Sequence, residues 1–309
     1  MPPPPPAFSF EGDVAIVSGA GSRLAGEIGN GRATAILLAR QGAKVALLDY
    51  NVEWAQETKR MIDEEGGVSE VIQCDVTQEA QCESAVKKTV ELFGAVHILI
   101  NIVGVGGPHG NVTEVDLAAW DRDFRINVTS MVMMSRFAIP EMKKVGRGAI
   151  VNMCASVMLS AIAELCLMLK LADSTRSSVS GLMGGNPGVL YPVSKGAIIQ
   201  LTRAMAAHHG PDNIRVNCVA PGMTPMVRGR GMTDEMRQRR IEQNLLRQEG
   251  TGWDVGYAIL FLASREARWI TGVIFPVDGG TTAGNPNRPA LTEDTHAAAQ
   301  KAAESLSSS

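Results

Sequence analysis

The chain has 309 residues, 45% hydrophobic and 20% charged, with a formal net charge of −3. That make-up suits a globular protein with a sizeable core, and its charge gives no footing for nucleic acid or an anionic membrane. The five cysteines contain no Cys-x-x-Cys pair, so they read as reduced core thiols in a cytoplasmic protein rather than a disulfide frame or a zinc site.

Met1 and the prolines after it lack the basic start and apolar stretch of a secretory signal, and residues 1–12 are expected to form a disordered leader. Short apolar runs then alternate with longer amphipathic ones. Strands are predicted at Val14–Val17, Lys44–Leu48, Glu70–Gln73, His97–Ile100, Ala149–Asn152, Arg215–Cys218 and Val273–Phe275. Helices are predicted at Gly29–Gln41, Val52–Glu65, Gln78–Phe93, Leu117–Val145, Tyr191–His209, Asp234–Gln248 and Asp254–Ala263. The apolar runs are too short for helices and too unbroken for half-exposed strands, so a sheet covered on both faces is expected. Strand–helix alternation with right-handed crossovers makes this an α/β chain with a doubly wound parallel sheet, one domain over residues 13–283. The most apolar stretch, Val157 to Ala172, carries Glu164 and Lys170 and is shorter than the roughly 20 residues that span a bilayer. Residues 284–309 turn small and polar and are expected to form a flexible tail.

The first strand runs into Ser18-Gly19-Ala20-Gly21-Ser22 and then Gly26-Glu27-Ile28-Gly29-Asn30-Gly31-Arg32. A glycine-rich turn between strand and helix lets backbone approach a pyrophosphate at the helix N-terminus. Asp49 ends the second strand, where a carboxylate can accept from both adenosine ribose hydroxyls and repel a 2′-phosphate, which favours NAD. Arg23 in the glycine-rich turn points the other way, toward NADP.

These pieces resemble the short-chain dehydrogenase/reductase family in its single-domain Rossmann form, from about Asp13 to Gly280. Asp75-Val76 stands where the family places an Asp beside the adenine. Asn101-Ile102-Val103-Gly104 takes the place of Asn-Asn-Ala-Gly, Asn127 lies in the long middle helix, and Tyr191-Pro192-Val193-Ser194-Lys195 matches Tyr-x-x-x-Lys. Pro221-Gly222 follows the sixth strand, and Val277-Asp278-Gly279-Gly280 the last. The resemblance implies a nicotinamide cofactor, NAD with NADP possible, held by Gly19, Ser22, Gly29, Asp49, Asp75, Val76, Asn101, Gly104, Lys195, Pro221, Gly222 and Thr224. It implies a small-molecule alcohol or ketone substrate, no nucleic-acid or membrane partner, no metal, and a homo-oligomer, a dimer or tetramer.

Tyr191 and Lys195 are one helical turn apart and share a face. A phenol with its ordinary pKa near 10 is a poor base at neutral pH, and a nearby ammonium favours the phenolate. Tyr191 is thus the expected acid/base, Lys195 its tuner and ribose ligand, and Asn127 the support of a proton relay. The family's substrate-orienting Ser has two candidates. Counting forward from the strand that ends near Asn152 leads to Ala155 or Ser156, and thirteen residues before Tyr191 stands Ser178. An insertion at about residues 154–176 reconciles them in favour of Ser178. The insert reads either as a lid or interface helix or as a translated intron. Two smaller irregularities accompany it: extra residues near Arg23-Leu24-Ala25, with Glu27 where a family Gly is expected, and a short loop before Thr224. The expected activity is hydride transfer between the nicotinamide and a secondary alcohol or ketone. A cofactor-binding relative without catalysis, or a dehydratase or epimerase on the same fold, are the other readings. The run Arg237-Gln238-Arg239-Arg240 reads as a solvated helix face, with recognition of an acidic substrate as the other reading.

Overall fold

The structure is a computed structural model, and it describes residues 7–154, 187–222 and 233–284. The sheet has seven parallel strands in the order β3-β2-β1-β4-β5-β6-β7. In chain order the elements are β1 (Val14–Ser18), α1 (Asn30–Arg40), β2 (Lys44–Asp49), α2 (Val52–Glu64), β3 (Val68–Gln73), α3 (Glu79–Phe93) and β4 (Ile98–Asn101). Then follow α4 (Leu117–Phe124), a π turn (Arg125–Thr129), α5 (Ser130–Lys144), β5 (Gly148–Met153), α6 (Leu190–His209), β6 (Ile214–Pro221), α7 (Asp234–Glu242), α8 (Gly252–Ala263) and β7 (Ile274–Val277). Helices α1, α2 and α8 pack on one face of the sheet through Leu38, Ile62 and Ile259. Helices α3, α5 and α6 pack on the other through Val86, Met134 and Met205. Ile16, Leu47 and Leu48 are wholly buried between the layers, and each such side chain contributes about 1.5–3 kcal/mol.

The central strands are buried on both faces, as their unbroken apolar runs predict. The edge strands are not: β3 alternates buried and exposed positions and β7 is only partly covered. Helices cannot cover a strand beyond the last crossover, so the edges keep one solvated side. At the N-terminus, Phe10 is 1% exposed and its N–H bonds Gln41 O at 2.8 Å, so packing begins ahead of Asp13.

The charged helix expected over 234–248 stops at Glu242. Asn244 explains the stop. Its amide donates to Ile241 O at 3.1 Å and Gln248 O at 2.8 Å, and its oxygen accepts from Gln248 N at 3.3 Å. An Asn side chain that captures backbone groups in this way competes with the helical ladder. The long middle helix runs as expected but contains the π turn, with Asn127 inside it.

The crevice between β1 and β4 is the switch point of the sheet, where crossovers leave in opposite directions. Gly19, Asn101, Gly104 and the start of α6 all lie at this carboxyl edge.

Candidate active site

The glycine-rich turn is longer than the family pattern, and the structure shows how the extra residues are held. Gly19 has φ +77°, a left-handed conformation that favours glycine. Gly29 caps α1, and a Cβ on Gly31 would stand 1.9 Å from Gly19 O. Gly31, not Glu27, is therefore the glycine of close helix–strand approach, and the residues between Ser22 and Gly29 form an added loop. Arg32, wholly buried, pins that loop: it donates to Glu27 O at 2.7 Å and Glu57 Oε2 at 2.6 Å. Glu57 in turn accepts from Gly26 N at 2.8 Å. Ser22 Oγ donates to Glu27 Oε2 at 3.3 Å.

Asp49 is 7% exposed and accepts from Gly21 N at 3.0 Å and Asn51 N at 3.1 Å. Burial pushes its carboxyl up, opposed by the backbone N–H groups of Asn51, Gly21 and Tyr50 and by the Arg23 charge. Oδ2 accepts from Gly21 N and Oδ1 from Asn51 N, and a carboxylate with about four lone-pair positions keeps acceptor capacity for a ribose hydroxyl. A Cβ on Gly21 would lie 2.9 Å from Asp49 Oδ2, so this contact needs glycine. Arg23 stacks over Trp54, 5.7 Å from the ring centroid. Asp75 sits just past β3 and closes a turn by accepting from Thr77 N at 2.9 Å and Thr77 Oγ1 at 2.8 Å, with Val76 buried beside it.

Asn101 Nδ2 donates to Asn152 Oδ1 at 2.9 Å, and Asn152 Nδ2 to Thr202 Oγ1 at 3.1 Å. Asn101 Oδ1 and Asn30 Oδ1 are buried without a donor. Buried acceptors in native proteins are rarely left unmade. Two such orphans beside a glycine cradle at the switch point fit a hydroxyl-rich dinucleotide.

The start of α6 is set by the loop after β4. Val189 N bonds Gly110 O at 3.2 Å, and a Cβ on Gly188 would stand 2.2 Å from Pro108 O. Pro192 falls in the first turn, where a missing N–H costs nothing. Tyr191, Ser194, Lys195, Ile198 and Thr202 form one buried stripe of α6. Tyr191 is 2% and Lys195 1% exposed, and Lys195 Nζ lies 5.3 Å from the Tyr191 ring centroid. Burial pushes the Lys195 ammonium down to about 8, against the opposing pull of the Cys154 and Cys218 thiols. A Cβ on Gly104 would stand 3.2 Å from Lys195 Nζ and 3.3 Å from Asn127 Oδ1, so the three groups converge on one point. Asn127 is clamped to the β4 loop: it accepts from Val105 N at 2.7 Å and donates to Val105 O at 2.9 Å and Ser194 Oγ at 3.1 Å. Single π turns inside α helices concentrate at functional sites.

Pro221 pairs with Val277 at the end of β6, and Gly222 N bonds Val277 O at 2.7 Å. Ser178, its alternative Ser156, and Thr224 lie outside the described residues. Sequence reading missed Gly31, Arg32, Ser194, Cys154 and Cys218. Gly31 and Ser194 sit inside recognised motifs and could have been read. The burial of Arg32 and the placing of the Cys154 and Cys218 thiols near Lys195 leave no local sign. Among the described residues no cluster of His, Cys, Asp or Glu is arranged to hold a metal, and no helix is long and apolar enough to cross a membrane.

Comparison with known proteins agrees with this fold. Residues 13–166 match the short chain dehydrogenase family profile, and residues 174–282 match that of enoyl-(acyl carrier protein) reductase. The chain belongs to the short-chain dehydrogenase/reductase family of oxidoreductases. It is 34% identical to an uncharacterized oxidoreductase of Thermotoga maritima over 89% of this chain and 100% of that one. It is 33% identical to 2-(S)-hydroxypropyl-CoM dehydrogenase 3 of Xanthobacter autotrophicus, covering 89% of this chain and 98% of that one. Among solved structures it resembles a 7 alpha-hydroxysteroid dehydrogenase complexed with NADH and 7-oxo glycochenodeoxycholic acid. The TM-score is 0.75 at 30% identity, over 88% of this chain and 95% of that one.

Proposed function

We propose that the protein transfers hydride between NAD and a secondary alcohol or ketone, with Tyr191 as acid/base. The observation that carries this reading is the buried convergence of Tyr191, Lys195, Asn127 and Gly104 at the switch point of the sheet. NAD supplies the hydride acceptor, or NADH the donor, when bound. Asp49, Asn101 and Lys195 would hold its ribose hydroxyls, and the Gly19–Gly31 turn its phosphates.

The Tyr191 hydroxyl takes the alcohol proton in oxidation or gives one to the carbonyl oxygen in reduction. The Lys195 ammonium favours the phenolate form. Asn127 fixes the β4 loop and Ser194 around them, and Ser178 orients the substrate oxygen. Purified protein assayed against a broad panel of ketones with NADH tests the reaction. Ser178→Ala is expected to lower kcat at least tenfold while Ser156→Ala leaves it unchanged, and the reverse result would move the role to Ser156. Tight NADH binding without turnover of any ketone would select the non-catalytic reading instead.

The NAD preference rests on Asp49. Its replacement by Ser removes a charge-assisted acceptor for ribose, a bond of about 1.5–3 kcal/mol. Asp49→Ser is expected to weaken NADH binding by roughly 10- to 100-fold and to narrow the gap to NADPH, read by cofactor fluorescence. Unchanged NADH affinity would remove Asp49 from the site.

A further inference from the structure

Helix α7 carries Arg237, Arg239 and Arg240, which the sequence suggests are solvated. Arg237 behaves so and pairs with Glu249. Arg240 does not. It is 8% exposed, and its Nε and Nη2 are buried with no acceptor. These two nitrogens form one edge of the guanidinium plane, the edge that meets both oxygens of a carboxylate side-on. Elsewhere this chain uses that edge in that way. Arg40 Nε and Nη2 donate to the two oxygens of Glu65 at 2.6 and 2.7 Å, while the same edge of Arg237 closes on a single oxygen, Oε2, of Glu249.

Arg240 lines a cavity of about 350 Å³ together with Gly222, Asn244, Glu249, Asp254 and Asp278. None of the three carboxylates bonds Arg240 Nε or Nη2, and only the Glu249 charge acts on it, from beyond bonding distance. Glu249 is taken by Arg237. Asp254 holds Thr251 N at 2.7 Å and Thr251 Oγ1 at 2.6 Å, the cap of α8. Asp278 holds Gly280 N at 2.9 Å, Thr282 N at 3.0 Å and Thr282 Oγ1 at 2.7 Å. A buried charged donor pair without an acceptor is costly, and it marks a place where a bound acceptor would recover that cost.

We propose that the Arg240 cavity binds a small molecule through its carboxylate, gripped side-on by Nε and Nη2. The cavity lies past the carboxyl ends of β6 and β7, the edge at which such sheets bind ligands. The carboxylate belongs either to the reacting substrate or to a separate small acid, and the proposal stands whether or not the hydride-transfer reading does.

The full-length protein is titrated with sodium propionate and sodium benzoate at constant ionic strength set with chloride, and its melting temperature is followed. Wild type is expected to show a saturable rise that is at least tenfold weaker in affinity in Arg240→Met and weakened in Arg240→Lys, which keeps the charge but loses the fork. Without ligand, Arg240→Met is expected to melt higher than wild type, whereas a merely structural Arg240 would make it melt lower. In turnover, levulinate and its methyl ester separate the two sources. A lower KM for the acid that Arg240→Met abolishes assigns the carboxylate to the substrate. Equal KM values with a propionate-dependent thermal shift assign it to a separate acid. No saturable shift with either salt, or the same shift in Arg240→Met, overturns the site.

Discussion

Tyr191→Phe is expected to lower kcat by roughly 10²- to 10⁴-fold while leaving NADH affinity unchanged, the scale of a lost positioned acid/base. The substitution removes one oxygen and keeps the ring in its buried place at the start of α6, where Tyr191 is 2% exposed. The loop after β4 still sets that helix end through Gly110 and Val189. Any loss of turnover therefore reports proton transfer rather than packing. Steady-state rates and fluorescence binding on the same preparation check both halves, and turnover that persists in the variant would remove Tyr191 from the chemistry.

Lys195→Met carries the second large effect, with two signs. Loss of the ammonium is expected to lower kcat/KM by roughly 10²- to 10³-fold, comparable to deleting one preorganised donor. Stability is expected to move the other way. Burial pushes the ammonium from 10.5 down to about 8, so between those values the unfolded chain binds the proton and the folded chain does not. Folding stability therefore rises with pH across that window, and below about pH 8 the charged group costs the folded state its full penalty. A shift of that size corresponds to about 3 kcal/mol. Lys195→Met, which fills the same space without charge, should melt higher than wild type at pH 7, and the gap should have narrowed strongly by pH 10, closing only above 10.5. Denaturant unfolding at the two pH values measures this. A variant less stable at pH 7, or a gap that ignores pH, would refute the buried-charge account. The site thus trades stability for function at one named residue.

Most of the fold was legible because its signals are local. Runs such as Val14–Val17 and Lys44–Leu48 are too short and too apolar for anything but covered strands, and the helices between them carry their periodicity in sequence. Tyr191 and Lys195 were legible because helical spacing puts them on one face within a segment that matches the family's Tyr-x-x-x-Lys, in order with its other motifs. What escaped depends on partners distant in sequence. Arg240 looks like one more surface arginine until α7 stops at Glu242 and leaves it buried beside the turn that Asn244 holds. Arg32 reads as an ordinary helix residue until Glu57 and Thr58 of α2 reach it. The roles of Ser178 and Ser156 stay at the level of spacing, since both fall outside the described residues.

The added loop between Ser22 and Gly29 carries a consequence for how the cofactor site fills. A loose loop of that length would have to be ordered by every arriving dinucleotide, at about 1–2 kcal/mol for each residue fixed. Arg32, reaching from inside α1 to Glu27 O and Glu57, orders it when the protein folds. The longer turn thus loads the ordering of Gly26 and Glu27 onto the folding reaction, and that share is not asked again of an arriving cofactor.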